Sequence, residues 1–388
     1  NGDGLSDVIV GAKLYQNDLL NEGRAFVYSG NASSMSTTPS WTKDIDQRDA
    51  YFGCSVGTAG DVNGDGYADI IIGAYGFENG EIDEGKAFVY FGSVSGLSAS
   101  SDWYETSNQA NAYFGWSVAT AGDVNGDGFS DIIISAYLYD NGQANEGRAF
   151  IYYGYADGLR TLVNWTFELN QGEANFGWSV STAGDVNGDG YSDVILGAPK
   201  YENGQNNEGA AFVFHGSATG LSLFPNWTAE GNSVSAAFGY SVSTAGDVNG
   251  DGYSDVIIGA FSFTNGQTAE GSAFLYYGSA SGLSPAANWS AENNQAYSKF
   301  GISVSTAGDV NGDGYSDVII GAFEYDNGQT DEGAAYVYHG SSNGLNSNYD
   351  WMAEGNTANA KYGLNVSEAG DVNGDGYSDV IIGEPYNG

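Results

Sequence analysis

The chain of 388 residues holds one cysteine, two histidines, two methionines and five prolines. A single cysteine excludes a disulfide framework within the chain and any cysteine-based zinc site. Two histidines argue against a histidine metal cluster or a histidine-dependent triad. Basic residues are also scarce, with ten Lys and Arg against 49 Asp and Glu, for a net charge of −39. Nucleic acid binding needs Lys and Arg to neutralise phosphate, so that class is excluded. Anionic membrane surfaces are excluded on the same ground. The charge favours cations or basic partners. No apolar run approaches the roughly 18 residues of a membrane span. No signal peptide is visible, but the chain begins within a motif and without an initiating Met, so this says nothing about export.

What is present argues for a folded core. Hydrophobic residues make up 41% and aromatics 14%, which is too much apolar material for a disordered polyanion. The 60 glycines show no Gly-X-Y step, which excludes collagen. A nine-residue string, Asp-Val-Asn-Gly-Asp-Gly-aromatic-(Ala/Ser)-Asp, recurs every 62 residues, at Asp61, Asp123, Asp185, Asp247, Asp309 and Asp371. An unbroken period of this length indicates one repeat array rather than two or three unlike domains.

One unit, 114–175, stands for all. Residues 115–120 alternate bulky and small side chains, as a strand does. The acidic loop Asp123 to Asp131 follows, then the short β-branched run Ile132-Ile133-Ile134, which fits a strand buried on both faces. Asn141-Gly142 and Glu146-Gly147 mark turns before a third strand ending at Tyr153. A fourth segment surrounds Trp165. No stretch carries helical periodicity with caps. Four short antiparallel strands cannot bury both faces alone, and radial stacking of such units yields an all-β propeller.

The expected division is a single propeller over 1–388. It has partial blades at 1–51 and 362–388 and complete repeats at 52–113, 114–175, 176–237, 238–299 and 300–361. The Phe/Tyr-Gly opening occurs six times and the second strand seven times, so the chain starts and stops inside a repeat. Seven blades are favoured, although that ring needs 46 more residues. A six-bladed ring is the alternative. Completion by a neighbouring chain through an unpaired terminal strand is the third reading.

The acidic string carries the chemistry. Side-chain oxygens sit at positions 1, 3, 5 and 9, position 7 offers its carbonyl, and Gly at position 6 permits the tight turn. This is the front of an EF-hand loop without its Glu at position 12 and without flanking helices. All donors are hard oxygens, which selects calcium over zinc or copper. The expected ligand sets are Asp61, Asn63, Asp65, Tyr67 and Asp69; Asp123, Asn125, Asp127, Phe129 and Asp131; Asp185, Asn187, Asp189, Tyr191 and Asp193; Asp247, Asn249, Asp251, Tyr253 and Asp255; Asp309, Asn311, Asp313, Tyr315 and Asp317; and Asp371, Asn373, Asp375, Tyr377 and Asp379. A seventh, truncated set comprises Asn1, Asp3, Leu5 and Asp7. The bland reading is an Asx-rich turn without metal. Three convergent carboxylates per loop would repel one another without a cation, which favours calcium.

Other repeated residues read as structural. Tryptophans at 41, 103, 165, 227, 289 and 351 share one position and either fill space between blades or stack on sugars. Cys54 shares a position with Trp116, Trp178, Tyr240, Ile302 and Leu364, so it is a packed filler rather than a nucleophile. His215 and His339 replace Tyr at the end of the third strand, a packing position. Glu22, Glu84, Glu146, Glu208, Glu270 and Glu332 each precede Gly and suggest a turn role. Asn-X-Ser/Thr sequons at Asn31, Asn164, Asn226, Asn288 and Asn365 could carry glycan, but three of them share one repeat position and read as incidental.

These residues resemble the FG-GAP repeat family, known from the head of integrin α subunits. Phe176-Gly177 and Gly197-Ala198-Pro199 supply the two name-giving motifs, with the acidic loop Asp185 to Asp193 between them. The resemblance covers essentially the whole chain. It implies a seven-bladed β-propeller, calcium between the first and second strands, and a non-catalytic role in adhesion or binding. It also implies that ligands meet the opposite face. Gly-Ala-Pro is complete only once, and elsewhere reads Gly-Ala-Tyr, Ser-Ala-Tyr, Gly-Ala-Phe or Gly-Glu-Pro. No insertion interrupts the period. Near-identical units look more like bacterial surface arrays than an animal integrin.

The expected function is a calcium-binding extracellular or cell-surface scaffold, fibre component or adhesin with a protein or glycan partner. A lectin-like propeller, or an accessory domain of a larger secreted protein or enzyme, is the alternative. No nucleophile elbow, histidine metal site or phosphate loop points to catalysis within the chain.

Overall fold

The computed structural model describes residues 1–33 and 35–386. The last partial unit therefore ends in two residues that lie outside the described ones. The described residues form twenty-five strands and no helix. The first sheet joins β1 (Val8–Ala12), β2 (Arg24–Tyr28) and β3 (Trp41–Asp44). Five four-stranded antiparallel sheets follow. They comprise β4 (Val56–Gly60), β5 (Asp69–Ala74), β6 (Lys86–Tyr90) and β7 (Trp103–Thr106); β8 (Phe114–Gly122), β9 (Asp131–Ala136), β10 (Arg148–Tyr152) and β11 (Trp165–Glu168); β12 (Ser179–Gly184), β13 (Asp193–Ala198), β14 (Ala210–Phe214) and β15 (Trp227–Glu230); β16 (Ser241–Gly246), β17 (Asp255–Ala260), β18 (Ser272–Tyr276) and β19 (Trp289–Ala291); and β20 (Val304–Gly308), β21 (Asp317–Ala322), β22 (Ala334–Tyr338) and β23 (Trp351–Glu354). β24 (Val366–Gly370) and β25 (Asp379–Ile382) form a two-stranded sheet.

Within each blade, strand order follows chain order. First strands of successive blades pack on one another around the centre, as β8 does on β4 and β12. Second strands of the five four-stranded blades are buried throughout, as in Asp131–Ala136. Their continuous apolar runs follow from cover by a blade on each side. The hydrophobic clusters lie between blades. One joins Ile133 and Ile151 of one blade to Val194, Leu196 and Phe212 of the next. Side chains at the Phe-Gly opening, Phe52, Phe114, Phe176, Phe238 and Phe300, are buried at these seams.

Neighbouring blades are also joined by polar contacts. Ser55 Oγ accepts the Val118 N–H at 3.1 Å, and Ser117 Oγ accepts that of Val180 at 3.2 Å. The ring runs through the two terminal sheets in the same way. Asn31 N–H donates to the Val372 carbonyl at 3.1 Å, as Tyr155 does to Val62. Six blades thus carry three or four strands, and a two-stranded sheet occupies the seventh position.

Candidate metal loops

Each acidic loop joins the first strand to the second at one end of the ring. A β-bulge precedes it, since the pairing of β8 with β9 shifts register between Thr120 and Gly122. Thr120 Oγ1 accepts the Gly122 N–H at 3.1 Å and sets the bend. Asp123 then organises the loop, with its Oδ1 accepting N–H groups of Gly126 at 2.7 Å and Asp127 at 3.1 Å. Its Oδ2 accepts that of Gly128 at 2.8 Å. Asn125 and Asp127 each accept an N–H two residues on. Asp185, Asp247, Asp309 and Asp371 repeat the pattern of Asp123, as does Asp61.

Position 9 differs. Asp69, Asp131, Asp193, Asp255 and Asp317 are fully buried at the start of the second strand. Asp131 Oδ2 accepts the Val124 N–H at 3.0 Å, and Oδ1 accepts that of Gly154 at 3.0 Å. This carboxylate ties the loop to the end of the third strand. Burial pushes Asp69 up to about 6, and Asp131, Asp193 and Asp255 up to about 7. The carboxylates at positions 5 and 1 push in the same direction. None of the five forms an ion pair with a Lys, Arg or His at 4.0 Å or less among the described residues.

The truncated loop has the same architecture. Asn1 and Asp3 accept N–H groups two residues on, and Asp7 accepts that of Gly30 at 3.1 Å. Side chains at position 7 seat each loop on its neighbour. Tyr191, Tyr253, Tyr315 and Tyr377 cover the glycines at position 4 of the preceding loops, as Phe129 covers Gly64.

No three His, Cys, Asp or Glu side chains are gathered tightly as a metal cage among the described residues. The carboxylates instead satisfy loop N–H groups. The donor set fits calcium by chemistry, because each loop offers hard oxygens and five of them add a buried carboxylate with no ion pair among the described residues.

Two features go beyond the sequence reading. Glu84, Glu146, Glu208, Glu270 and Glu332 are buried, and each accepts the N–H of an Asn five residues earlier. Their Oε2 atoms have no partner. The turn role is therefore carried by a buried carboxylate, which the Glu-Gly pairs alone do not reveal. The second feature is an aromatic arc on the opposite face. It runs from Tyr51 stacked on Tyr75 at 4.7 Å, through Trp116 at 4.8 Å from Trp178, to Tyr240 at 4.5 Å from Phe261.

Five of the six repeated tryptophans lie at the seams. Trp41, Trp103, Trp165, Trp227 and Trp289 donate Nε1–H to carbonyls of the next blade, at Ser98, Arg160, Ser222, Ser284 and Asn346. Those five are held in the seams by these bonds, whereas Trp351 is 42% exposed. The sequon asparagines Asn164, Asn226 and Asn288 accept N–H groups at the end of the third strand.

Antiparallel blades around a ring, with an acidic loop at each entry to the second strand, define a repeat β-propeller. A family model for the FG-GAP repeat matches residues 52–83, 114–152, 176–214, 238–276, 300–338 and 367–388. The chain belongs to the FG-GAP repeat family. It is 35% identical over 223 residues to integrin alpha-V of Gallus gallus, covering 55% of this chain and 20% of that protein. It is 34% identical over 229 residues to integrin alpha-PS2 of Drosophila melanogaster, covering 55% of this chain and 15% of that protein. It is 30% identical over 246 residues to integrin alpha-5 of Xenopus laevis, covering 61% and 22%. The chain thus spans about a fifth of the length of the curated relatives it matches. No helix among the described residues is long and apolar enough to cross a membrane.

Proposed function

We propose that this chain is a non-catalytic, calcium-binding extracellular propeller serving as a structural scaffold, fibre component or adhesin. The carrying observation is the ninth loop residue, a buried carboxylate beside two others with no basic partner. Burying such an anion costs several kcal/mol unless a cation or full hydrogen bonding offsets it. Calcium held by the six intact sets, from Asp61 to Asp379, supplies that charge. Ions at every blade would stiffen the ring rather than react. Similarity to integrin α subunits supports a role in adhesion or scaffolding outside the cell, where calcium is millimolar. The net charge favours a basic protein partner.

Calcium uptake after EGTA dialysis, followed by isothermal titration, tests the reading. Six equivalents are expected. No uptake at millimolar calcium would remove the calcium from the proposal.

A further inference from the structure

The units are nearly uniform, so a departure confined to one blade junction is informative. Between the fifth and sixth blades, at the outer rim, lies a cleft of about 640 Å³. Its wall includes β19, which has three residues where the other fourth strands have four. Three cleft residues depart from the repeat. Asn293 stands where other units have Ile45, Ser107, Leu169, Gly231 and Gly355. Tyr336 replaces a phenylalanine present in every other unit. Tyr349 stands where the others have Pro39, Ser101, Val163, Pro225 and Ala287.

These three residues meet. The Tyr349 ring lies edge-on to that of Tyr336, with centroids 5.4 Å apart, and Tyr349 is 50% exposed. Asn293 lies beside the Tyr336 hydroxyl with its Nδ2 buried, and its Oδ1 accepts the Gln295 N–H at 3.2 Å and the Ser298 hydroxyl at 2.7 Å. Glu292 borders the cleft and is braced by Asn265 Nδ2 at 3.1 Å.

The chemistry narrows the ligand. No Lys or Arg lines the cleft, so an anion has no counter-charge. Only one carboxylate lines it, and Asn265 already holds that one, which is poor ground for a metal. An exposed aromatic ring beside amide, hydroxyl and carboxylate groups suits a ligand with an apolar face and hydroxyls that both donate and accept. The volume falls within the roughly 300–1,000 Å³ of small-ligand sites. We propose that this cleft binds a neutral oligosaccharide, with a sugar ring on Tyr349 and its hydroxyls on Glu292. The site does not depend on the calcium reading.

The test uses the whole chain in millimolar calcium, with maltotriose, cellotriose and triacetylchitotriose as probes. Saturation-transfer NMR finds binding and isothermal titration measures it. At least one probe is expected to bind with a Kd between micromolar and millimolar. Tyr349→Ala and Glu292→Thr should each weaken binding by about tenfold or more at an unchanged melting temperature. Both changes install residues that other blades carry, at Ala287 and at Thr106. Tyr349→Phe, which keeps the ring, should bind like the parent. No saturation transfer from any of the three sugars would overturn the proposal. Binding that both truncating variants leave unchanged would do so too.

Discussion

Ser6 donates its backbone N–H to the Asp371 carbonyl at 2.9 Å, the same bond that Ser130 makes to Asp61 at 3.0 Å. Leu5 in turn lies against Gly374, as Phe129 lies against Gly64. Two segments 365 residues apart in the chain are therefore neighbours in the ring of loops. The loops form a continuous circuit in which each one rests on the next.

Calcium removal should loosen that circuit. A site with Kd near ~10⁻⁴ M in about 1 mM calcium contributes about 1.4 kcal/mol through linkage. Six such sites contribute on the order of 8 kcal/mol, comparable to a domain's net stability. Scanning calorimetry with and without EGTA should show a large fall in melting temperature, and equal transitions would contradict it.

Positions 5 and 9 should respond differently to substitution. Asp193 braces Val186 and Gly216 through N–H bonds of 3.0 and 2.9 Å, whereas exposed Asp189 accepts only from its loop neighbours Asn187 Nδ2 and Tyr191 N–H. Asp193→Ala should cost about 2–4 kcal/mol in urea titrations with or without calcium. Asp189→Ala should matter mainly when calcium is present.

The seating of one loop on another can be tested at two glycines. Gly188 has φ +72°, and a Cβ there would lie 2.5 Å from the Tyr253 ring. Gly190 has φ +91° and open space around it. Both Ala variants bear the strain of positive φ, about 1–2 kcal/mol. Gly188→Ala adds a clash of about 1–3 kcal/mol, so it should be the less stable of the pair.

Phe176 is fully buried at the seam between two blades. Phe176→Ala should destabilise the chain by about 3–5 kcal/mol in chemical unfolding. A loss below 1 kcal/mol would mean that the seam carries little of the stability.

Cys54 is half-buried, with its Sγ 3.4 Å from the Gly115 carbonyl, and desolvation pushes its thiol up from 9.0 to about 11. The folded thiol therefore holds its proton longer than the unfolded one. Its contribution to stability is intact below about 9 and is lost as pH rises towards about 11. Iodoacetamide at pH 8 should label the native protein far more slowly than the protein in urea. Equal rates would oppose this burial.

The sequence by itself determined the units. The 62-residue period, the acidic loop and the second strand are legible because each rests on local rules. Asp123 reaches N–H groups three to five residues away, and Ile132-Ile133-Ile134 needs only burial on both faces. Tertiary structure decided what lies between units. Trp165 could stack on a sugar or fill a seam until its Nε1 met the Ser222 carbonyl, 57 residues away. Glu146 gave no local sign that its carboxylate is buried under the turn before it. Asn293, Tyr336 and Tyr349 are minor variations along the chain, and only packing brings them together. The reason is range: hydrogen bonding inside nine residues leaves a mark in the sequence, whereas contact across a seam depends on how whole blades stack.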